Sequence, residues 1–345
     1  MWQIIGQARA VSLLQQSLKS GTLAHAYLLV GPQHVGKMTL AINLAQALNC
    51  EAAEKPCLEC TSCKKIATGS HADVQVIGLT QNEEENSEAK LIHTEQIKAV
   101  LHAASLPPFE GKQKIFIIDG AELLSIEAAN RLLKTLEEPE SYVTFILLTT
   151  NERLLPATVV SRCQRLELLP LAVNEATTAL GEKLHIEPER AGLLARLSHG
   201  CPGWALAAHG DENILRLRNE ELNQLNGIIR ADYEERFAYA ARLAARFGQN
   251  RRAVYDVLEL WLDYWRDLML VKAGNDDMIT NIDRKDELAG IAGSFRLAQI
   301  QAFIESIRSA ALQLRQNVNP RLALEVLMLD MPGKKEVTSP DYIGT

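Results

Sequence analysis

Hydrophobic positions along this chain follow two different rules, and the change falls near residue 170. Before it, short unbroken apolar runs alternate with stretches of helical spacing. Residues 27–30 (Tyr-Leu-Leu-Val), 114–119 (Lys-Ile-Phe-Ile-Ile-Asp) and 143–148 (Val-Thr-Phe-Ile-Leu-Leu) read as strands buried on both faces. Residues 73–79 alternate well enough for a further strand, and 166–168 for a last short one. Between them, 1–24 reads as a helical lead-in with Ala10, Leu13, Leu14 and Leu18 on one side. Helices are expected over the run ending at Asn49, over 94–104 behind a threonine cap, over 126–138 up to Pro139, and over 156–162. Strands alternating with helices predict an α/β class with a parallel sheet, binding ligands at the strand carboxyl ends.

Beyond residue 170 only the helical period survives. Residues 175–197 and 202–208 form a small helical unit, and 212–330 reads as helices throughout, including 233–247 and a long one over 251–272. That long helix carries an apolar stripe through Val257, Leu258, Trp261, Leu262, Trp265, Leu268 and Met269, interrupted by Asp256, Glu259, Asp263, Arg266 and Asp267. The interruptions make a packing face the expectation and membrane binding a poor fit. The pattern divides the chain into an α/β domain at 1–168, a helical lid at 169–210, a helical collar at 211–331 and a disordered tail at 332–345.

Composition narrows the class. Across 345 residues, 47 % hydrophobic content is ordinary for domains with buried cores. No apolar run approaches the roughly 18–20 residues that span a bilayer, and the first residues lack a signal-peptide pattern, so a cytoplasmic location is expected. The net charge of −7 lacks the basic footprint of a free-standing nucleic-acid binder, so any contact with DNA is expected through a larger assembly. The acidic stretch 80–90 (Thr-Gln-Asn-Glu-Glu-Glu-Asn-Ser-Glu-Ala-Lys) reads as a solvated loop. Four of six cysteines fall within 50–63. Cys50, Cys57, Cys60 and Cys63 supply enough thiolates for a closed tetrahedral zinc site, with His71 as a weaker substitute ligand.

The strand at 27–30 runs into Gly31-Pro32-Gln33-His34-Val35-Gly36-Lys37 and then into a helix. This is the context of a phosphate-binding loop: glycines let backbone N–H groups converge, the helix N-terminus adds positive potential, and Lys37 reaches terminal phosphates. Met38 stands where the motif needs a magnesium-holding hydroxyl, and Thr39 comes one residue late. Asp119, at a strand end, suits a carboxylate that holds magnesium through water. The next residue, where an active ATPase keeps a water-polarising glutamate, is Gly120. Glu122, three residues on, is not expected to replace it. Two losses at one site point to a nucleotide fold without hydrolysis; ATP or ADP with magnesium remains a candidate ligand.

Taken in order, His25-Ala26-Tyr27, the phosphate loop, Leu132-Leu133-Lys134-Thr135-Leu136-Glu137-Glu138-Pro139, Ser161-Arg162-Cys163 and Asn317-Val318-Asn319-Pro320-Arg321 resemble the AAA+ subunits of the bacterial replicative clamp loader. The resemblance covers essentially the whole chain and is nearest to the delta-prime type of DNA polymerase III rather than the tau/gamma motor type. It implies three domains and a zinc module at 50–63. It also implies a place in a pentameric ring with delta and tau/gamma types, reaching the sliding clamp and primer-template DNA through the assembly. Arg162 would act across a subunit boundary on the neighbour's γ-phosphate, where a planar guanidinium suits charge spread over several oxygens. Thr150 matches the polar strand end that senses that phosphate, and the lid arginine expected near 200–206 is missing. Two rivals stay open: an active motor ATPase using Lys37, Thr39 and Asp119, and a zinc-dependent nucleic-acid-binding protein with a vestigial nucleotide fold.

Overall fold

A computed structural model describes residues 2–79, 91–316 and 318–333; the acidic stretch 80–90, Asn317 and the tail from 334 onward lie outside the described residues. The chain forms two compact units, Met1–His185 with Gly200–Trp204, and Ile186–His199 with Ala205–Thr345. The stretch 169–210 is therefore divided: the helix Val173–Leu184 and the strap Gly200–Trp204 belong to the first unit, and the helix Pro188–Leu197 to the second.

The first unit is built on a parallel sheet of β1 (Ala26–Val30), β2 (Val74–Ile77), β3 (Lys114–Asp119), β4 (Val143–Thr149) and β5 (Gln164–Glu167), in the order β2-β3-β4-β1-β5. Successive side chains of a strand leave opposite faces, and here both faces are covered. Leu28, Phe116, Ile118, Phe145 and Leu147 pack under the helices Thr94–Ala104 and Ile126–Glu137. Tyr27, Leu29, Ile115, Ile117, Ile146 and Leu148 pack on the other side with Leu40, Ala41 and Leu44 of the helix Lys37–Asn49. This double burial is why the central strands read as unbroken apolar runs. The edge strands are shorter or shifted. Residues 73–79 yield only Val74–Ile77; just before the strand, the Asp73 carboxylate accepts from the N–H groups of Phe109, Glu110 and Gly111 at 2.8, 2.8 and 2.7 Å. The last strand begins at Gln164 rather than at 166, with exposed Gln164, Arg165 and Glu167 bordering a single buried Leu166.

The second unit is helical. Its longest helix, Arg251–Lys272, runs through one core with Trp261 and Trp265 fully buried, Trp265 lying 4.6 Å from Phe303 and 5.4 Å from Phe295 between ring centroids. The stripe is a core face, as its interruptions predicted. One interruption differs: Asp267 is not solvated but 0 % exposed. It accepts N–H donors from Thr280 at 2.9 Å and from the Asn281 backbone and carboxamide, both at 2.7 Å. It thus pins the segment after the helix, and burial raises its carboxyl above the ordinary range against those donors.

Candidate functional site

Backbone geometry makes the loop after β1. The N–H of Gly31 donates to the Thr149 carbonyl at 3.2 Å, extending the sheet by one bond, and a Cβ on Gly31 would stand 2.5 Å from the Leu168 carbonyl oxygen. No side chain fits there. His34 and Gly36 both take left-handed backbone angles, φ 61° and 109°, and the helix Lys37–Asn49 starts at once. The loop therefore curls around a helix N-terminus, as its sequence predicted. From outside, the strap ties it down: the Gly203 N–H donates to the His34 carbonyl at 2.8 Å, at a separation that leaves a Cβ no room.

The side chains on this loop are less suited to a nucleotide than its backbone. Lys37 is buried, and its Nζ donates to the Gly31 and Pro32 carbonyls at 2.6 and 2.7 Å. Burial lowers its pKa, opposed by the charges of Glu122 and Asp119. Met38 packs its thioether against the apolar cluster under the sheet, so no hydroxyl is available where magnesium would need one. Thr39 is exposed and sits about 100° further round the helix.

The acid dismissed on spacing belongs to the site. Gly120, at φ 72°, ends β3 and starts a single tight turn at Ala121–Leu123 that swings Glu122 back to the strand ends. Thr150 donates its hydroxyl to Glu122 Oε1 at 2.6 Å and its N–H at 3.2 Å. Glu122 Oε2 is buried without a hydrogen-bond partner among the described residues. Burial pushes this carboxyl up, but the Thr150 hydroxyl and neighbouring donors outweigh it and leave the pKa below the ordinary value. Asp119 moves the other way: withdrawal from water raises it, Lys37 opposes and Glu122 adds to the rise. The residue that spoiled the motif, Gly120, was the signal, since a glycine there permits the left-handed turn that returns the following acid. For a nucleotide with magnesium the fit is mixed: the phosphate cradle and two carboxylates are present, and the coordinating hydroxyl is replaced by a half-buried methionine.

Arg162 comes just past the helix Ala157–Val160, which ends sooner than the expected 156–162. Its Nη2 meets Glu137 Oε1 at 2.5 Å and its Nη1 donates to the Thr158 carbonyl at 2.9 Å. The side chain stays one-third exposed. Cys163 beside it faces inward, and burial pushes its thiol up to about 11. Core packing of Cys163 thus leaves Arg162 on the outside, anchored but accessible.

The four cysteines converge, with all Sγ atoms within 4.8 Å of one another and Cys57 to Cys63 at 4.0 Å. A tetrahedral thiolate site with metal–sulfur bonds of about 2.3 Å would have sulfur–sulfur edges of about 3.8 Å. Backbone donors run through the cluster: Cys57 N–H to Cys50 Sγ at 3.4 Å, Cys60 N–H to Cys57 Sγ at 3.3 Å, and Cys63 N–H to Cys60 Sγ at 3.4 Å. Such donors favour thiolate, and the N–H groups of Cys60 and Glu59 pull Cys57 down to about 6, while burial pushes Cys63 up to about 12. His71 stands apart, with Nε2 on Ser62 Oγ at 3.2 Å and Nδ1 accepting from the Asp73 N–H at 3.1 Å. The donor set fits a metal ion held by four cysteines.

Comparison with known proteins gives consistent relatives. The family described as DNA polymerase III, delta subunit, matches residues 6–172, and the one described as DNA polymerase III, delta subunit, C terminal, matches 218–332. The chain is 28 % identical over 330 residues to the DNA polymerase III subunit delta' of Bacillus subtilis, covering 94 % of this chain and 95 % of that one. It is 27 % identical over 349 residues to the Bacillus subtilis subunit tau, covering 94 % of this chain but only 60 % of that protein. The crystal structure of a gamma subunit-related protein from Thermotoga maritima is 16 % identical, with a TM-score of 0.43 over 93 % of this chain and 99 % of that one.

Proposed function

Because this chain belongs to the clamp-loader subunit family of DNA polymerase III, we propose that it is a delta-prime-like stator, lending Arg162 to a neighbouring ATPase subunit while hydrolysing little or no ATP itself. The observation that carries this reading is Met38: a half-buried thioether side chain, packed against the apolar cluster under the sheet, stands where a hydroxyl should hold magnesium. Arg162 supplies the other half, being held in place and accessible at the end of its helix. The partners are delta-type and tau/gamma-type subunits in a ring, with the sliding clamp and primer-template DNA reached through that assembly in the cytoplasm. The cysteine set holds a structural zinc ion, a closed site that leaves no position for catalysis.

One feature favours an active motor. Glu122 lies beside Thr150 with a buried oxygen that has no hydrogen-bond partner among the described residues, as a water-orienting carboxylate could. Against it stand Met38 and the strap Gly200-Cys201-Pro202-Gly203-Trp204, which brings no arginine to the loop. Addition of this chain to the other loader subunits tests the choice. The isolated chain should release no phosphate from ATP above background, and adding it to a loader assembled without it should raise turnover by about a hundredfold. Turnover by the isolated chain at the rate of a motor subunit would replace the stator reading with the motor one.

A further inference from the structure

The reading of Arg162 as an arginine finger leaves open how an exposed side chain with many rotamers is held ready, and the inference here rests on that reading. We infer that Glu137 is a positioning residue that presets the Arg162 guanidinium for a phosphate on the neighbouring subunit. Glu137 is the last residue of the helix Ile126–Glu137. A carboxylate there faces the negative end of the helix dipole and is disfavoured as far as the helix alone is concerned. Its ordinary explanation, helix stability, therefore fails. The structure supplies another: Oε1 meets Arg162 Nη2 at 2.5 Å, from a segment 25 residues away in the chain.

The guanidinium is held at two points from two elements. Nη1 donates to the Thr158 carbonyl at 2.9 Å, on the short helix just before it, with Ser161 Oγ at 3.5 Å, and Nη2 reaches Glu137. Two anchors on a planar fork fix both its position and its plane, and Nε, without a hydrogen bond among the described residues, remains for an incoming phosphate. Restricting the rotamers before the neighbour arrives removes an ordering cost from the transition state. The pair is half-open to water, with Glu137 49 % and Arg162 33 % exposed, so screening keeps it weak. A phosphate group carrying more charge can share the arginine without first breaking a buried ion pair. Glu137 also belongs to the run 132–139, so one stretch of sequence supplies both the packing of its helix on the sheet, through Leu132 and Leu136, and the anchor of the finger.

The test is steady-state ATP turnover by a reconstituted loader carrying variants of this chain. Glu137→Ala should lower kcat about tenfold with KM for ATP within twofold, because a misaligned finger costs the transition state rather than ground-state binding. Glu137→Gln, which keeps an oxygen acceptor for Nη2, should recover most of the loss. In an Arg162→Ala background, Glu137→Ala should cost nothing more. Wild-type kcat in Glu137→Ala, beside a damaged Arg162→Ala, would overturn the positioning role and leave the finger standing. Faster turnover in Glu137→Ala would overturn it too, making the pair a restraint. A loss that persists without Arg162 would place the action of Glu137 elsewhere. An Arg162→Ala loader as active as wild type would instead remove the finger reading itself.

Discussion

Arg162→Ala is expected to slow ATP turnover at the subunit this chain abuts by about a hundredfold or more, with the fold of the chain unchanged. The two halves of that expectation have separate physical grounds. Stability should hold because, among the described residues, the ion pair lost is the exposed one to Glu137, and exposed pairs contribute about 0–1 kcal/mol. Turnover should fall because a guanidinium placed against a transferring phosphoryl group has nothing to replace it in a water-poor interface, and such fingers are worth about 10³–10⁵ in rate. Phosphate release by the assembled loader measures turnover, and a thermal melt of the isolated variant measures stability. A melt lowered by many degrees would mean that Arg162 is structural. Arg162→Lys should behave nearly as badly as alanine, since an ammonium lacks the planar fork.

Removing the metal is the second large perturbation. As isolated from the cell, the chain should carry one equivalent of zinc, and a strong chelator or the double substitution Cys57→Ser with Cys60→Ser should abolish it. Zinc-finger peptides owe about 10–16 kcal/mol of apparent folding energy to their ion. Here the effect should be smaller, about 3–5 kcal/mol, because the cluster sits on an existing domain. Gln46 donates to the Cys63 carbonyl at 2.9 Å, and Ile66 is buried in the core under the sheet. At about 2–4 °C per kcal/mol for a domain of this size, the first unit should melt roughly 10 °C lower. Metal analysis together with the melt checks this. A zinc-free preparation with an unchanged melting curve would contradict the metal assignment, and turnover in the assembled loader should respond only through stability.

What the sequence made legible, and what it hid, follows from the range of the interactions. The central strands β3 and β4 were readable because burial on both faces leaves a local signature, an apolar run closed by turn residues. The stripe on the long helix was readable for the same reason at a different period. The limits of the edge strands were misplaced by one or two residues because they are set by tertiary partners; Asp73, for example, borders its strand and caps the turn at 109–111 with its carboxylate. The burial of Asp267 was not legible because a charge in a helix is usually solvated, and only the fold shows the Thr280–Asn281 segment returning to satisfy it. In the candidate site, the phosphate loop, Lys37, Asp119 and the cysteine cluster were all visible as motifs. Glu122 was not, because spacing along a strand does not reveal a left-handed turn at Gly120. The anchor of Arg162 on Glu137 was hidden too, since a pair 25 residues apart has no sequence period.

In the stator reading, the chemistry of this chain passes through Arg162 into a neighbour and not through its own phosphate loop. The most direct test of that reading compares Arg162→Ala with Lys37→Ala in one reconstituted loader, measuring ATP turnover in the presence of sliding clamp and primed DNA. Met38 in place of the metal ligand and Lys37 bound to its own loop carbonyls predict that Lys37→Ala stays within about twofold of wild type, while Arg162→Ala loses most of the activity. The reverse order, a damaging Lys37→Ala beside a harmless Arg162→Ala, would contradict the account and make this chain a motor.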